Sequence, residues 1–380
     1  MGNLLNNELK VKLDSFKNLT QMELFSNMDE SMGTLSGEQL SFINCYAVIS
    51  KNVQGLSAQP SLTGRPMSSR EKILKLFFMK SFLNFPTTKA ARRFVKSSCS
   101  WRRICGFEST GEVPSEATLS RAFAYFSKDK VLSSIHNGVL KEYVKDTKTL
   151  VLNVNYDSTE IVAREKGAPK EKKEDAKSRQ PRKRGRRSRE DRRNTPPPEP
   201  SNLELQGART LEENMSGIPK NCDWGCKTNS KGKIEQWCGY KLHIGAADCG
   251  IVTGAMLSSA SMHDSQAAIP LMQMNKENVF ASLYNVMDAA YDAKAIATFS
   301  ASLGQVAIID PNKRNGCTRE LDPASKVHYK CRTVVERVNS ELKDSFGARF
   351  VRVRGAAKVF THLMFGVVLV TVRHLLDLLC

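Results

Sequence analysis

One long segment in the middle of this chain has a composition that cannot build a hydrophobic core. The stretch KEKKEDAKSRQPRKRGRRSREDRRNTPPPEP, inside residues 164–220, combines repeated charge and proline with almost no aliphatic residue. Such a segment cannot bury enough apolar surface to offset its chain entropy. We therefore predict a disordered basic and proline-rich insertion at 164–220, so a core must be built from sequence on both sides of it.

Strand-like segments flank this insertion: one precedes it and four follow it. Helical patterns come after residue 257, after residue 288 and from about residue 327. Strands in hairpin-like succession, followed by strands that alternate with helices, predict a mixed α/β sheet with flanking helices. The insertion then occupies the connection between the first two strands, where a loop tolerates length. The segments are LVLNVNYD (150–157), GYKLHIGA (239–246), IVTGAML (251–257), LYNVMD (283–288) and QVAIID (305–310).

An α-helical region is predicted before the sheet. Residues 1–66 are read as a partly helical N-terminal segment with a linker, 67–147 as a helical region, and 148–380 as the core that carries the insertion. Basic side chains among the helices of 67–147 suit DNA binding, although an ordinary bundle with a solvated basic face explains them equally well. The predicted N-caps are Ser68, with Glu71 completing a capping box, then Thr87 or Thr88, and Ser115.

The charge balance points to a polyanionic partner. The chain has 57 Lys and Arg against 39 Asp and Glu, a net charge of +18, and nucleic acid is the commonest partner of so basic a protein. A membrane protein is not expected, because the longest apolar run, 363–372, is half of the about 20 residues that a spanning helix needs. The N-terminus lacks a secretory pattern and the ten cysteines are scattered, so we expect a cytoplasmic protein with free thiols.

Two aspartates are predicted to end strands. Asp157 ends the strand at 150–157 on its polar side, and Asp288 ends the strand at 283–288 in the same way. Two carboxylates at strand ends suit a metal site, although Asp commonly follows a strand simply as a turn residue. Asp292 is the alternative to Asp288, which we prefer because it directly ends its strand.

A later helix is predicted to present one carboxylate among three groups that bind phosphate. In HYKCRTVVERVNSELKDSF, four polar residues fall within a narrow arc when each residue turns the helix by 100°. Valines and leucine form an apolar stripe nearly opposite. A salt-bridged surface helix explains an Arg and a Glu four residues apart, but not the Tyr and the Lys on the same face. The four residues are Tyr329, Arg332, Glu336 and Lys343.

At these positions the chain resembles the DDE transposases of one large group of bacterial insertion sequences, whose signature is Y-x2-R-x3-E-x6-K. The resemblance covers about residues 70–378 apart from the insertion. Only 48 residues separate Asp288 from Glu336, which leaves no room for the large β-rich insertion that some relatives carry there. The other matching motifs are FPTTKAARRF…VPSEATLSRAF (85–123), YDST (156–159), GYKLH (239–243), SMHDSQ (261–266) and MDAAYDA (287–293).

The resemblance implies a ribonuclease-H-like fold and a metal-dependent reaction. The first and fourth strands would be neighbours, so that Asp157 and Asp288 come together, and the later helix would supply Glu336. These three carboxylates would be the catalytic residues. They would hold two Mg²⁺ ions, for which Mn²⁺ would substitute, because hard divalent cations prefer carboxylate oxygens.

The resemblance also implies the partner and the reaction. Tyr329, Arg332 and Lys343 would hold phosphates of a transposon end near the cut, and the planar fork of Arg332 suits a bidentate contact. The partner would be double-stranded DNA, bound by a homodimer, and the freed 3′-hydroxyl would attack target DNA. Two alternatives stay open: a metal-dependent nuclease of the same fold that cuts without joining, and a transposase-derived DNA-binding protein without catalysis.

The basic insertion is predicted to grip DNA phosphates without sequence preference. Residues 182–193 carry eight cations against two anions, a density that neutralises phosphates but fixes no geometry for reading bases. A tolerated surface loop is the alternative. The residues singled out for phosphate contact are Arg182, Lys183, Arg184, Arg186 and Arg187.

Four further polar or aromatic residues have a structural interpretation that we favour. Asp264 is expected to be a helix N-cap. His243 is expected to be a hydrogen-bonded structural histidine rather than a group at the edge of the active site. Trp224 and Trp237 are expected to pack in the core rather than to stack on unpaired bases.

Overall fold

The computed structural model describes most of the chain outside the N-terminus and the basic insertion. The described residues are 34–53, 56, 68–147, 151–167, 169, 200–228, 232–278, 282–312 and 320–379. The expectations for residues 1–33 and for most of the linker before residue 67 lie outside them.

A mixed sheet forms the centre of the protein. Its strands are β1 (Val151–Val162), β2 (Asp223–Thr228), β3 (Ile234–Ala247), β4 (Val252–Ser259), β5 (Ser282–Met287) and β6 (Val306–Ile309). β3 pairs antiparallel with β1, β2 and β4, whereas β5 runs parallel to both β1 and β6. The order across the sheet is therefore β4, β3, β1, β5 and β6, with β2 on the first half of β3.

The strand prediction and the fold class are confirmed. All five predicted segments are strands, and the first and fourth of them, β1 and β5, are neighbours as a ribonuclease-H-like fold requires. β2 was not predicted, because its sequence DWGCKT lacks a run or alternation of apolar residues. It forms because β3 extends back to Ile234 and gives its backbone groups partners.

Helices cover both faces of the sheet. On one face, Tyr156 of β1 accepts a hydrogen bond from Asn275 of the helix 265–277 at 2.6 Å. On the other face, the helix 333–344 buries Val335, Val338 and Leu342, three of the four residues in the predicted apolar stripe, whereas Val334 is half-buried. The helices are α1 (Gly37–Ser50), α2 (Arg70–Phe82), α3 (Thr88–Ser97), α4 (Cys99–Ile104), α5 (Glu116–Lys128), α6 (Val131–Thr147), α7 (Asn202–Gln206), α8 (Leu211–Gly217), α9 (Ser265–Glu277), α10 (Lys294–Ser302), α11 (Pro323–Tyr329), α12 (Thr333–Asp344) and α13 (Ala356–Leu379).

The first six helices form the helical region that precedes the sheet. α2 begins one residue later than predicted, since Ser69 rather than Ser68 accepts the hydrogen bond from the Lys72 amide. Thr87, one of the two predicted candidates, caps α3, and Ser115 caps α5 as predicted. α1 packs into the same aromatic core, so the helical region begins within the segment 1–66 rather than at residue 67.

The last part of the predicted insertion is folded, so that prediction was wrong over residues 200–220. These residues form α7 and α8, whose Leu203 and Asn214 are buried. Asn214 donates to the Gln273 side chain on α9 at 3.0 Å, which fixes α8 against α9. Local capping outweighed the overall polar composition, because each helix begins with a complete capping box, Ser201 with Glu204 and Thr210 with Glu213.

The C-terminal helix α13 is a core helix shared by the helical region and the sheet. By length and composition it could span a membrane, yet 78% of its most apolar window is buried inside the protein. Phe365 lies at its centre, with its ring centroid 4.9 Å from that of Phe78 and 5.7 Å from that of Phe77. The helical region and the sheet therefore share one hydrophobic core.

Phe365→Ala is expected to reduce the free energy of unfolding by about 3–5 kcal/mol, because it removes a fully buried ring and leaves a cavity. Urea denaturation followed by circular dichroism measures this. The matched control is Phe350→Ala, whose ring is exposed and whose replacement should change stability by roughly 0.5 kcal/mol or less. Equal losses in the two variants would contradict the shared core.

Candidate active site

Two aspartates lie side by side where β1 and β5 run parallel. In this pairing Asn155 lies opposite Val286. Continuing the register by two residues puts Asp157 opposite Asp288, on the same face because side chains alternate along a strand. Asp292, the alternative, instead accepts a hydrogen bond from the Asn312 amide at 2.9 Å and points to the loop after β6.

Arg332 joins these aspartates to Glu336. Its Nη2 lies 3.3 Å from Asp157 Oδ1 and 3.5 Å from Asp288 Oδ2, and its Nη1 lies 2.8 Å from Glu336 Oε1. Arg332 is mostly buried, whereas half of the Glu336 side chain is exposed. The structure thus brings together all three carboxylates predicted from the sequence, around one guanidinium.

The carboxylates outnumber the positive charge that faces them. Burial raises the pKa of Asp157 to about 6, although the adjacent Arg332 opposes that rise. Burial also raises the pKa of Asp288, again against the influence of Arg332. A single guanidinium cannot neutralise three ionised carboxylates, so the cluster attracts further positive charge.

Asn339 belongs to this site, and the sequence reasoning missed it. Its Nδ2 donates to Asp157 Oδ2 at 3.0 Å, while Arg332 occupies the other oxygen of the same carboxylate. Asn339 Oδ1 is buried and has no hydrogen-bond partner among the described residues. Its position three residues after Glu336, on the same helical face, was the available signal.

The predicted continuous helix is interrupted just before the site. α11 ends at Tyr329, residues 330–332 form a 3₁₀ turn, and α12 begins at Thr333. The backbone stays right-handed helical throughout, so the side chains before and after the turn keep nearly the directions that a continuous helix would give them. Burial raises the pKa of the half-buried Tyr329 phenol, which lies within the electrostatic influence of Arg332.

Lys343 lies on the predicted face but has an acidic partner there. Its Nζ is 2.7 Å from Glu160 Oε1, and Lys227 binds the other oxygen of Glu160 at 2.9 Å. The pKa of Glu160 falls to about 2, because these two lysines outweigh the opposing effect of burial. A phosphate approaching Lys343 therefore meets an existing ion pair.

Four further residues are expected to have structural roles, and two of them depart from that expectation. His243 is buried, with Nε2 2.7 Å from the Ser258 hydroxyl, as the structural interpretation expects. Asp264 holds the N-cap position of α9 but makes no capping hydrogen bond, because its carboxylate pairs with Lys241 at 2.9 Å. Trp237 is buried, whereas Trp224 is exposed on β2, so the core prediction was wrong for Trp224.

The three carboxylates fit a divalent cation in chemistry. Within the described residues, no three His, Cys, Asp or Glu side chains are arranged to hold a metal ion as they stand. Arg332 lies between the carboxylates instead and donates a hydrogen bond to one oxygen of each. Carboxylates are the ligands that Mg²⁺ and Mn²⁺ prefer, and these three already converge on a cationic group, so they suit a metal once Arg332 withdraws.

Not all predicted DNA contacts can be located. Arg182, Lys183, Arg184, Arg186 and Arg187 lie outside the described residues. On α3, Arg92 donates to the Pro114 carbonyl at 2.6 Å and so has a structural partner. Lys89 and Arg93 on the same helix are exposed.

Comparison with known proteins gives two family matches. The family model described as Transposase DDE domain matches residues 203–371, and the one described as Transposase domain (DUF772) matches residues 40–124. The first match contains Asp288 and Glu336, whereas β1 with Asp157 precedes it and is joined to it by pairing with β3 and β5. No curated protein and no solved structure matches the chain.

Arg332→Met is expected to make stability in metal-free buffer fall more steeply with pH. The substitution removes the positive charge that lowers the pKa of Asp157, so the folded-state pKa rises further above the ordinary value of 3.8. A carboxyl with a raised folded-state pKa stabilises the fold below its unfolded pKa, and this contribution is lost as pH rises through the folded pKa. The variant should match the wild type near pH ~4 and be less stable by about 1–3 kcal/mol near pH ~8.

Urea denaturation in EDTA at both pH values checks this expectation. Arg337→Met on α12 is the control, because Arg337 is exposed and its replacement should change the free energy of unfolding by the same small amount at both pH values. A loss in Arg332→Met that does not depend on pH would show that the guanidinium acts by packing rather than by neutralising the carboxylates.

Proposed function

We propose that this chain, which belongs to the DDE transposases of the insertion-sequence type, cleaves transposon ends and joins the freed 3′-hydroxyl groups to target DNA. We also propose that it is a member of the group with the Y-R-E-K signature. The observation that carries the proposal is the convergence of three carboxylates on the Arg332 guanidinium. Asp157 lies on β1, Asp288 directly follows the neighbouring strand β5, and Glu336 lies on α12.

The three carboxylates are proposed as the catalytic residues and metal ligands. When bound, two Mg²⁺ ions, or Mn²⁺ in their place, would activate the attacking oxygen and stabilise the leaving 3′-oxygen. Asn339 holds one oxygen of Asp157 and fixes the direction of that carboxylate. Such support of a metal ligand is typically worth about 10–100-fold in affinity or activity.

Three residues around the carboxylates are proposed to bind the scissile region of the DNA. Arg332 is the best placed, because its planar guanidinium can leave the carboxylates and bind a phosphate bidentately. Lys343 would exchange its contact with Glu160 for a phosphate oxygen, and Tyr329 would donate its phenolic hydrogen.

The partners follow from this chemistry. We propose double-stranded DNA, both transposon ends and target, as the substrate, and a homodimer as the form that holds two ends. Acting on chromosomal DNA would place the protein in the cytoplasm, associated with the nucleoid in a bacterium. A nuclease without strand transfer and a DNA-binding protein without catalysis remain the alternatives that the experiment below separates.

Purified protein, Mg²⁺ and a DNA that carries the element's inverted repeats test the function directly. We expect 3′-hydroxyl ends to be released and joined to a second DNA, detected on sequencing gels. Asp157→Ala, Asp288→Ala and Glu336→Ala should each reduce cleavage by more than about 100-fold, because losing a ligand costs more than losing its support. DNA binding should stay close to that of the wild type, since phosphate contacts are retained.

Asp292→Ala is the matched control and should cleave normally, because that exposed carboxylate points to another loop. Activity that survives in Asp288→Ala but disappears in Asp292→Ala would reverse the assignment of the second ligand. Cleavage without joining would favour the nuclease, and binding without cleavage would favour the non-catalytic protein.

Deleting residues 170–199 tests the role of the basic insertion without disturbing α7 and α8. Affinity should weaken for all DNA sequences alike, and the logarithmic salt dependence should flatten by ~0.9 for each lost phosphate contact. The preference for transposon ends over random DNA should persist, because charge without fixed geometry does not read bases. A neutral Gly/Ser linker of equal length is the control for chain connectivity, and a loss of end preference would mean that the segment takes part in specific recognition.

A further inference from the structure

A basic cavity lies between the helical region and the loop that precedes α13. Its volume is about 630 Å³, and α2, α3, α5, this loop and α13 all contribute to its walls. Neither the three carboxylates of the candidate active site nor Arg332 is among the residues that line it. The basic residues in its lining are Lys80, Arg352, Arg354 and Lys358, and the acidic one is Glu116.

Lys80 is the feature that calls for a ligand. The residue is only 6% exposed, yet it lines the cavity. In the described part of the chain no hydrogen bond or ion pair to its amine is found, and burial alone lowers the pKa of Lys80 to about 8. The neighbouring His362 is neutral at neutral pH, because burial lowers its pKa to about 3, and it makes its own hydrogen bond to the Gly347 carbonyl. A buried amine without a carboxylate is costly unless an anion enters the cavity.

The start of α3 adds hydrogen-bond donors to the same cavity. Thr87 and Thr88, which line it, begin a ten-residue helix. Thr87 accepts from the Ala90 amide, but the amides at the very start of a helix have no acceptor within it. Those donors and the positive end of the helix dipole favour an anion of phosphate size.

The mouth of the cavity is positively charged and is connected to β1. Arg352, Arg354 and Lys358 are exposed there, and Glu116 is the one carboxylate among the described residues that line the cavity. Glu165 lies just outside this lining and accepts a hydrogen bond from the Gly355 amide at 3.1 Å. Arg354 Nε donates to the Arg164 carbonyl at 3.0 Å, just beyond the end of β1. Arg164 follows Asp157 by seven residues, a strand distance on the order of 20 Å. A duplex at the carboxylates can therefore reach this mouth.

We propose that this cavity binds a backbone phosphate of the DNA, away from the site of cleavage. The proposal rests on the proposed function only in taking DNA to be the source of the phosphate. The contact would be made by the Lys80 amine and the first amides of α3, with Arg352 and Lys358 screening the neighbouring phosphates. Because a backbone phosphate carries no sequence information, the contact should strengthen binding to any duplex.

The test compares Lys80→Met with Lys75→Met in the full-length protein. Lys75 lies on the same helix with its Nζ 4.7 Å from the centre of the Tyr46 ring, and it does not line the cavity, so it is a matched control. Fluorescence anisotropy with a random-sequence duplex in EDTA, over a series of salt concentrations, measures binding without cleavage. Lys80→Met should bind roughly 10-fold more weakly with a salt slope lower by ~0.9, and Lys75→Met should match the wild type.

A second variant keeps the test decisive if Lys80→Met does not fold. Arg352→Gln combined with Lys358→Gln changes only exposed side chains and should also weaken binding and lower the salt slope. Unchanged DNA affinity in folded Lys80→Met, or an equal loss in Lys75→Met, would overturn the proposal.

Inorganic phosphate distinguishes the two sources of the anion. If phosphate raises the melting temperature of the wild type but not of Lys80→Met, and both bind DNA equally, the cavity serves a free phosphate and the DNA assignment is wrong. The binding assay needs no cleavage, so failure of the proposed enzymatic activity and failure of this site give different results.

Discussion

The parallel pairing of β1 with β5 is the constraint on which the candidate active site depends. These strands are more than a hundred residues apart in sequence, and between them come the insertion, three antiparallel strands and α9. Parallel neighbours cannot be joined by a tight turn, so the connection is long enough to form the antiparallel part of the sheet. The pairing fixes Asp157 beside Asp288, and both then depend on the same backbone hydrogen bonds.

α12 completes the site because it packs on the face of the sheet from which both aspartates project. Its buried valines and Leu342 hold it against β1 and β3, so that Glu336 of α12 and Arg332 in the preceding turn lie beside the two aspartates. Arg332 then holds together groups that would otherwise repel one another. The same guanidinium suits a phosphate, which gives a physical route by which DNA and the carboxylates compete for one side chain.

The helical region packs directly against the part of the chain that carries the sheet. α13 places Phe365 among the aromatic rings of α2 and α5 while its other side contacts α12 and β4. The Asn84 side chain adds a hydrogen bond to the Asp344 carbonyl at 2.7 Å, across the same boundary. The basic cavity lies at this boundary, so a DNA contact there would be held in a fixed position relative to the carboxylates.

The sequence by itself determined five of the six described strands and the amphipathic helix, and it predicted the three carboxylates that converge on Arg332, because each depends on local periodicity or on a short motif. It missed β2, because that strand depends on pairing with the extended first half of β3. It also missed Asn339, because that side chain binds the oxygen of Asp157 that Arg332 does not contact. It was wrong over 200–220, where two capping boxes and contacts with α9 outweigh composition. Only the tertiary structure decided that Lys343 pairs with Glu160 and that the Lys80 amine faces a cavity with no ion-pair partner among the described residues. Both follow from which side chains the fold brings together from distant parts of the chain.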